Sequence, residues 1–386
     1  MSRRWTASDR WERIAVGVLL AALAGCAAAR ERPKPIELMW PEPPLTPRIK
    51  FVRTLSSDRD LGRTATFSEN LMEVLTGRKP SIGHLAEPID IAVSDDGRRV
   101  YVSDFGQGVV YRFDLEAKTL TLLGTEQPLT HPFGLALDAA ENLYVVEQGA
   151  RRVTVLDRGG KVVKVVQDPS LERPTAVALD RKRGRLYVAD PARQQSPDHT
   201  IKVFDLAGTL VAKVGRDKGE CEGCLYFPTY LALDREGNLY VTNTMNGRVD
   251  VFTPDGRFVK RIGDRGTSFG MFDRPKGIAL DSFGNVYVVD SGWSNVQIFN
   301  PKGQALLYFG GRGSYPGLLK NPGGIAIDRN NRIYVTDYLN YRVSIYELVN
   351  TTAEDSFLQP SSAGKEGDET SGKVVANPPR NGGEKR

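Results

Sequence analysis

Between residues 48 and 350, short apolar strands and turn residues alternate in a pattern that recurs six times. Each repeat begins at a proline that opens an apolar run ending in a polar residue, as at 132–138. A Tyr-Val pair follows twelve or thirteen residues later, and strands of alternating polarity such as Arg248–Phe252 come next. The prolines are Pro88, Pro132, Pro174, Pro228, Pro275 and Pro322. β-branched and aromatic runs between glycine-rich turns predict four strands per repeat.

A four-stranded unit with a period of 40 to 50 residues is typical of a propeller blade. One such sheet leaves both faces uncovered, so the blades must pack in a ring. We therefore predict one all-β domain, a six-bladed β-propeller over 48–350, with blades that start near the six prolines. The sixth repeat lacks a fourth strand, and the alternating run 49–55 has no repeat of its own. This N-terminal run is predicted to complete the last blade and close the ring.

Two motifs of the repeat are similar to a known family. The runs Pro-x-Gly-Ile-Ala-Ile-Asp at 322–328 and Ile-Tyr-Val-x-Asp at 333–337 resemble the NHL repeat family. The resemblance covers about residues 48–350 and implies a six-bladed propeller. NHL-like propellers include lyases that use zinc, and related six-bladed propellers include calcium-dependent lactonases. The resemblance therefore implies a metal-dependent enzyme of the central channel as an alternative function.

Residues 1–25 are predicted to be a lipoprotein signal peptide. Four arginines precede an apolar run at 14–24, and this run is too short to cross a hydrocarbon core of roughly 30 Å. It ends in Leu-Ala-Gly-Cys at 23–26, which resembles the bacterial lipobox and implies a lipid anchor on Cys26 in the cell envelope. Position 27 is alanine rather than aspartate. By that resemblance the outer membrane is favoured over the inner membrane.

Three segments lie outside the repeats. Residues 26–47 hold six prolines and are predicted to form an extended tether between Cys26 and the ring. Residues 68–75 are predicted to form a short helix between the closing strand and the first blade. Residues 351–386 hold almost no large apolar residue, which predicts a disordered polar tail.

Composition narrows the possible partners. The formal net charge is +5, and it is spread along the chain rather than concentrated in a basic stripe. We therefore expect no nucleic-acid partner. Three cysteines are too few for a fold built on disulfides, and three histidines are too few for a His-rich metal protein. We expect a monomeric disc.

The long, irregular loops are predicted to share one face of the disc. In a propeller, the loops that lead into each first strand and those between second and third strands lie together, and function concentrates on such loops. We call this the long-loop face and the opposite side the turn face. The long-loop face comprises 105–108, 125–131, 167–173, 191–199, 216–227, 244–247, 264–274, 291–295, 311–321 and 338–341.

Aromatic residues and arginines are frequent on the long-loop face, and both are common at protein interfaces. The candidate partner-binding residues are Phe105, Arg193, Trp293, Arg312, Tyr315, Tyr338 and Tyr341. No complete catalytic set accompanies them. The sequence thus favours a scaffold that binds a protein or peptide over an enzyme.

Two further sets on this face have alternative interpretations. His84, His131 and His199 could hold zinc, but they occupy different loop positions, so we expect ordinary loop roles and no cofactor. Cys221 and Cys224 are expected to form a small disulfide, with a redox role as the alternative.

The second strand of each repeat ends in a polar residue, which is expected to accept N–H groups from its own loop. These residues are Asp104, Glu147, Asp190, Asn243, Asp290 and Asp337.

Overall fold

The computed structural model describes residues 37–62, 75 and 83–351. The chain divides into two units, Met1–Leu38 and Met39–Arg386, and all strands given below belong to the second. The predicted signal peptide, Cys26, the tail 352–386 and the predicted helix at 68–75, except for the helical residue Leu75, lie outside the described residues. Within the described residues, no helix has the length and apolar character to span a bilayer.

Six antiparallel sheets confirm the predicted six-bladed propeller. The first two blades are built from the following strands. Blade 1 consists of β3 (Pro88–Val93), β4 (Arg99–Asp104), β5 (Val109–Asp114) and β6 (Thr119–Leu123). Blade 2 consists of β7 (Pro132–Leu137), β8 (Leu143–Glu147), β9 (Arg152–Leu156) and β10 (Val162–Gln167).

The next three blades repeat this order from the inner to the outer strand. Blade 3 consists of β11 (Ala176–Asp180), β12 (Arg185–Asp190), β13 (Thr200–Asp205) and β14 (Leu210–Val214). Blade 4 consists of β15 (Pro228–Leu233), β16 (Leu239–Asn243), β17 (Arg248–Phe252) and β18 (Phe258–Ile262). Blade 5 consists of β19 (Pro275–Leu280), β20 (Val286–Asp290), β21 (Asn295–Phe299) and β22 (Ala305–Gly310).

The sixth blade closes the ring with an N-terminal strand, as predicted. It contains β23 (Pro322–Ile327), β24 (Arg332–Asp337) and β25 (Arg342–Leu348), followed in space by β2 (Ile49–Leu55) and β1 (Met39–Trp40). β2 runs antiparallel to β25, with Ile49 opposite Leu348 and Leu55 opposite Val343. This pairing joins the two ends of the ring and supplies the outer strand that the last blade lacks.

The chain joins the propeller at an earlier residue than the predicted tether implies. The sequence predicts a tether up to residue 47, whereas Met39 and Trp40 already pair with Lys50 and Ile49. The Trp40 ring lies 6.1 Å from that of Phe309 and 5.9 Å from that of Tyr346. The ring contacts of this half-buried aromatic side chain account for the docking, because aromatic clusters of this kind stabilise packing beyond their area.

Buried side chains between neighbouring blades form the core. The second strand of each blade contributes a buried tyrosine from its Tyr-Val pair. The Tyr287 and Tyr334 hydroxyls each donate to an aspartate in the turn before their strand, Asp281 and Asp328, at 3.1 Å. In blade 1 the turn carries Ser94 instead. The buried Tyr101 hydroxyl consequently has no hydrogen-bond partner.

This difference predicts opposite responses to the same substitution. Tyr101→Phe is expected to leave the free energy of unfolding unchanged or to raise it, because it removes an unpaired buried hydroxyl. Tyr334→Phe, the matched control, is expected to lower it by about 1 kcal/mol, because it breaks a made hydrogen bond. Urea unfolding of the two variants measures both values. Equal losses in the two variants would show that the Tyr101 hydroxyl has a partner.

Candidate functional site

The polar residues at the ends of the second strands of the six blades support the backbone of the long-loop face. All six are fully buried. Asp290, for example, accepts backbone N–H groups from Asp273 and Arg274 in one loop and from Gly292 and Trp293 in the next. Their carboxylate and amide groups thus hold the loops, as the sequence predicted.

Two arginines at the start of third strands each hold one of the long loops. Arg342 binds Asp337 through Nε at 2.9 Å, and its Nη atoms donate to the carbonyls of Ser314, Tyr315 and Leu318 at 2.8 to 3.1 Å. In blade 4, Arg248 likewise binds Asp250 and the loop carbonyls of Glu220 and Cys221. Such charge-assisted hydrogen bonds fix the loop backbone.

Three loops also close on themselves by a parallel bridge: Arg216 with Cys224, Arg265 with Phe272, and Arg312 with Leu319. Phe272 and Leu319 are fully buried and anchor their loops. Gly263 is required beside Phe272, since its φ is +68° and a Cβ there would lie 2.4 Å from the ring. In blade 4, Cys221 and Cys224 are joined by a disulfide with a Cα–Cα distance of 5.0 Å.

The seven candidate partner-binding residues divide into two groups. Four are exposed: Arg193, Arg312, Tyr315 and Tyr341. Tyr315 is 76% exposed although its carbonyl is held by Arg342. The other three are half-buried: Phe105, Trp293 and Tyr338. The sequence analysis missed four exposed apolar residues on the same face, namely Met245, Phe269, Met271 and Leu339.

The structure does not bring the three histidines together into a metal site. His131 stacks on Phe105 with ring centroids 4.7 Å apart, whereas His199 is buried against Tyr226 and Phe227. His199 Nδ1 accepts the Phe227 N–H, and burial lowers the pKa of this imidazole. In the described parts of the chain, no three His, Cys, Asp or Glu residues are grouped to hold a metal ion.

A cavity lies on the turn face, where the sequence analysis placed no function. It measures about 800 Å³ and lies among the turns of blades 4, 5 and 6, with Leu280 and Phe283 in its wall. Several of its polar groups form hydrogen bonds or ion pairs within and between the turns. Asp281 accepts two backbone N–H groups, and Arg235 donates to the Ser282 carbonyl. Arg329 of blade 6 binds Asp95 of the adjacent blade 1 at 3.0 Å.

Two family descriptions match parts of the chain. Residues 84–190 match the SMP-30/gluconolactonase/LRE-like region, and residues 319–346 match the NHL repeat. The residues that match the NHL repeat contain β23, β24 and most of β25 of the last blade. Together with the six sheets, these matches confirm the NHL-type propeller that the repeat motifs predicted.

A curated protein is similar to part of this chain. Protein brain tumor of Drosophila melanogaster is 25% identical over 143 residues, which is 36% of this chain and 13% of that protein. The chain therefore matches only about an eighth of the length of this curated relative.

Solved propellers resemble the fold. A gluconolactonase of Xanthomonas campestris is 19% identical with a TM-score of 0.53, covering 68% of this chain and 87% of that one. An inactive virginiamycin B lyase of Staphylococcus aureus with quinupristin is 15% identical with a TM-score of 0.51, covering 70% and 83%. An auxiliary nutrient binding protein of Bacteroides thetaiotaomicron is 12% identical with a TM-score of 0.55, covering 68% and 69%.

Proposed function

We propose that this propeller is a scaffold that binds a protein or peptide through its long-loop face. The observation that carries the proposal is Tyr315, which is exposed at the tip of a loop whose backbone is fixed by Arg342. A rigid loop that presents an aromatic side chain loses little conformational entropy on binding. Exposed aromatic, apolar and arginine side chains on the neighbouring loops extend the contact surface.

The shared fold does not select between binding and catalysis, because the solved neighbours include two enzymes and a binding protein. The residues of the inner strands favour binding. Among the first three positions of these strands, Asp90 is the only carboxylate, and it accepts the Leu135 N–H at 2.9 Å. Lys276 lies in the same inner layer. This set does not fit the metals that the resemblance implied, since calcium requires several oxygen ligands and zinc requires at least three His, Cys or carboxylate ligands.

The central test is site-specific photo-crosslinking in intact cells. A crosslinking amino acid in place of Tyr315 is expected to give a discrete adduct with one protein. The same amino acid in place of Lys302, which is exposed on the turn face, is expected to give none. Tyr315→Ala should weaken capture of that partner by about tenfold or more without changing the unfolding transition. The same adducts from positions 315 and 302, or no adduct from position 315, would overturn the scaffold function.

We further propose that the mature protein is anchored by lipid on Cys26 in the outer membrane, with its ring outside the cytoplasm. The lipobox-like run and the alanine at position 27 support this location. Two acyl signals are needed for stable anchoring, which an acylated N-terminal cysteine would supply. Labelling cells with a radioactive fatty acid should mark the protein, and Cys26→Ser should abolish the label. A labelled Cys26→Ser variant would contradict the assignment.

A further inference from the structure

Side chains from the inner strands close the central opening of the ring beneath the long-loop face. Tyr230, at the third position of β15, crosses the ring, and its hydroxyl donates to the Ile89 carbonyl of blade 1 at 3.2 Å. Its ring centroid lies 6.2 Å from that of Phe133 in blade 2. Tyr230 is only 6% exposed. These side chains form a floor, so the opening on this face can receive a side chain or a chain end.

Lys276 lies at this opening without an anionic partner. It is the second residue of β19, one position nearer the long-loop face than the residue that corresponds to Tyr230. Its ammonium contacts the Asn321 amide oxygen at a long 3.4 Å, and no carboxylate of the described residues lies within 4 Å of it. Burial and the neighbouring charge of Arg274 lower the pKa of Lys276 to about 8. The side chain is therefore charged at neutral pH and lacks a counter-ion.

The surrounding sector of the long-loop face combines positive charge with apolar surface. Blades 5 and 6 contribute five cations to this sector, and the carboxylates of their loops are fewer. The cations are Arg265, Arg274, Lys276, Arg312 and Lys320, and the loop carboxylates are Asp264 and Asp273. Exposed apolar residues lie among these cations, including Phe269 and Leu339. A partner that matches this sector is acidic and carries apolar or aromatic side chains.

We propose that the opening binds a carboxylate of the partner, presented by an acidic segment with adjacent apolar residues. This inference rests on the proposed scaffold function and names the chemistry of its partner. The Lys276 ammonium would pair with the carboxylate above the Tyr230 floor, and Phe133 with Phe105, whose rings lie 6.2 Å apart, would contact the apolar neighbour. The half-buried ammonium would gain a short, charge-assisted hydrogen bond to an anion, whereas within its own chain it makes only the long bond to the neutral Asn321 amide.

Fluorescence anisotropy with two short labelled peptides tests the inference on the full chain. One peptide alternates glutamate with phenylalanine, and the other replaces every glutamate with glutamine. The glutamate peptide is expected to bind about tenfold more tightly at low salt, and high salt should reduce the difference. Lys276→Met should remove most of this preference. Lys302→Met, a matched substitution on the turn face, should retain it.

Equal binding of the two peptides, binding of neither, or a preference that survives Lys276→Met would overturn the carboxylate site. Circular dichroism of Lys276→Met checks that the ring remains folded, and Lys276→Arg should restore part of the preference because it restores the charge. The crosslink from position 315 is independent of these measurements. An adduct at 315 together with equal binding of the peptides would leave the scaffold function standing and remove only the carboxylate site.

Discussion

Replacing Arg342 with alanine is expected to lower the free energy of unfolding by about 3 to 5 kcal/mol, because it leaves the Asp337 carboxylate buried without its cation. Asp337 is fully buried, and burial already raises its pKa while Arg342 is present. The same substitution releases the carbonyls of Ser314, Tyr315 and Leu318. Urea unfolding should detect the loss, and partner capture through Tyr315 should fall with it.

Arg312→Ala is the control for this effect. Arg312 is exposed, and its guanidinium makes one long hydrogen bond of 3.4 Å to the Gly292 carbonyl. Its removal should change the free energy of unfolding by less than about 0.5 kcal/mol. A loss below about 1 kcal/mol in Arg342→Ala would show that the arginine does not hold the loop, and the rigid presentation of Tyr315 would then lose its basis.

Asp90→Asn is expected to stabilise the protein at pH 8 by between about 1 and 4 kcal/mol. Burial raises the pKa of Asp90 from 3.8 to about 7, so the folded state holds a proton that the unfolded chain releases. The stability that Asp90 contributes is complete below pH 3.8 and is lost as the pH rises through 7. The neutral amide avoids this loss, so its advantage should be largest at pH 8 and should shrink towards pH 4.

Asp281→Asn provides a control of opposite sign. Both aspartates are buried, but the Asp281 carboxylate accepts hydrogen bonds from two backbone N–H groups, the Asn285 amide and the Tyr287 hydroxyl. An amide at this position would place N–H groups against donors and should destabilise the protein at every pH. A gain in Asp90→Asn that is the same at pH 5 and pH 8 would rule out titration of Asp90 as its cause.

The blades and the closing strand could be predicted from the sequence because each repeat carries the same local rules. In five blades the first strand begins at the anchor proline, and in blade 3 it begins at Ala176, two residues after Pro174. The two-residue strand at Trp40 could not be predicted, since no periodicity exists over so short a length. Its position depends on packing against Phe309 and Tyr346, which are distant in the sequence.

The floor of the opening was missed, although the repeats contain a signal for it. The third residue of the inner strand is glycine or alanine in blades 2, 3, 5 and 6, whereas blades 1 and 4 have Asp90 and Tyr230. Small residues there permit close contact between neighbouring inner strands, so the two exceptions mark where a side chain fills the ring. The meaning of Lys276 could not be inferred, because the absence of a nearby carboxylate depends on loops from two blades.

The pairing of β2 with β25 determines the side of the disc to which other molecules can be attached. Ile49 and Leu348 are partners at the turn-face end of these strands, and beyond them the Val349 N–H donates to the Arg48 carbonyl. The polypeptide therefore enters β2 and leaves β25 at neighbouring points on the side opposite Tyr315. An affinity tag, a fluorescent protein or a sensor surface joined just after Val349 leaves from that side, and the aromatic loops stay open to an arriving molecule.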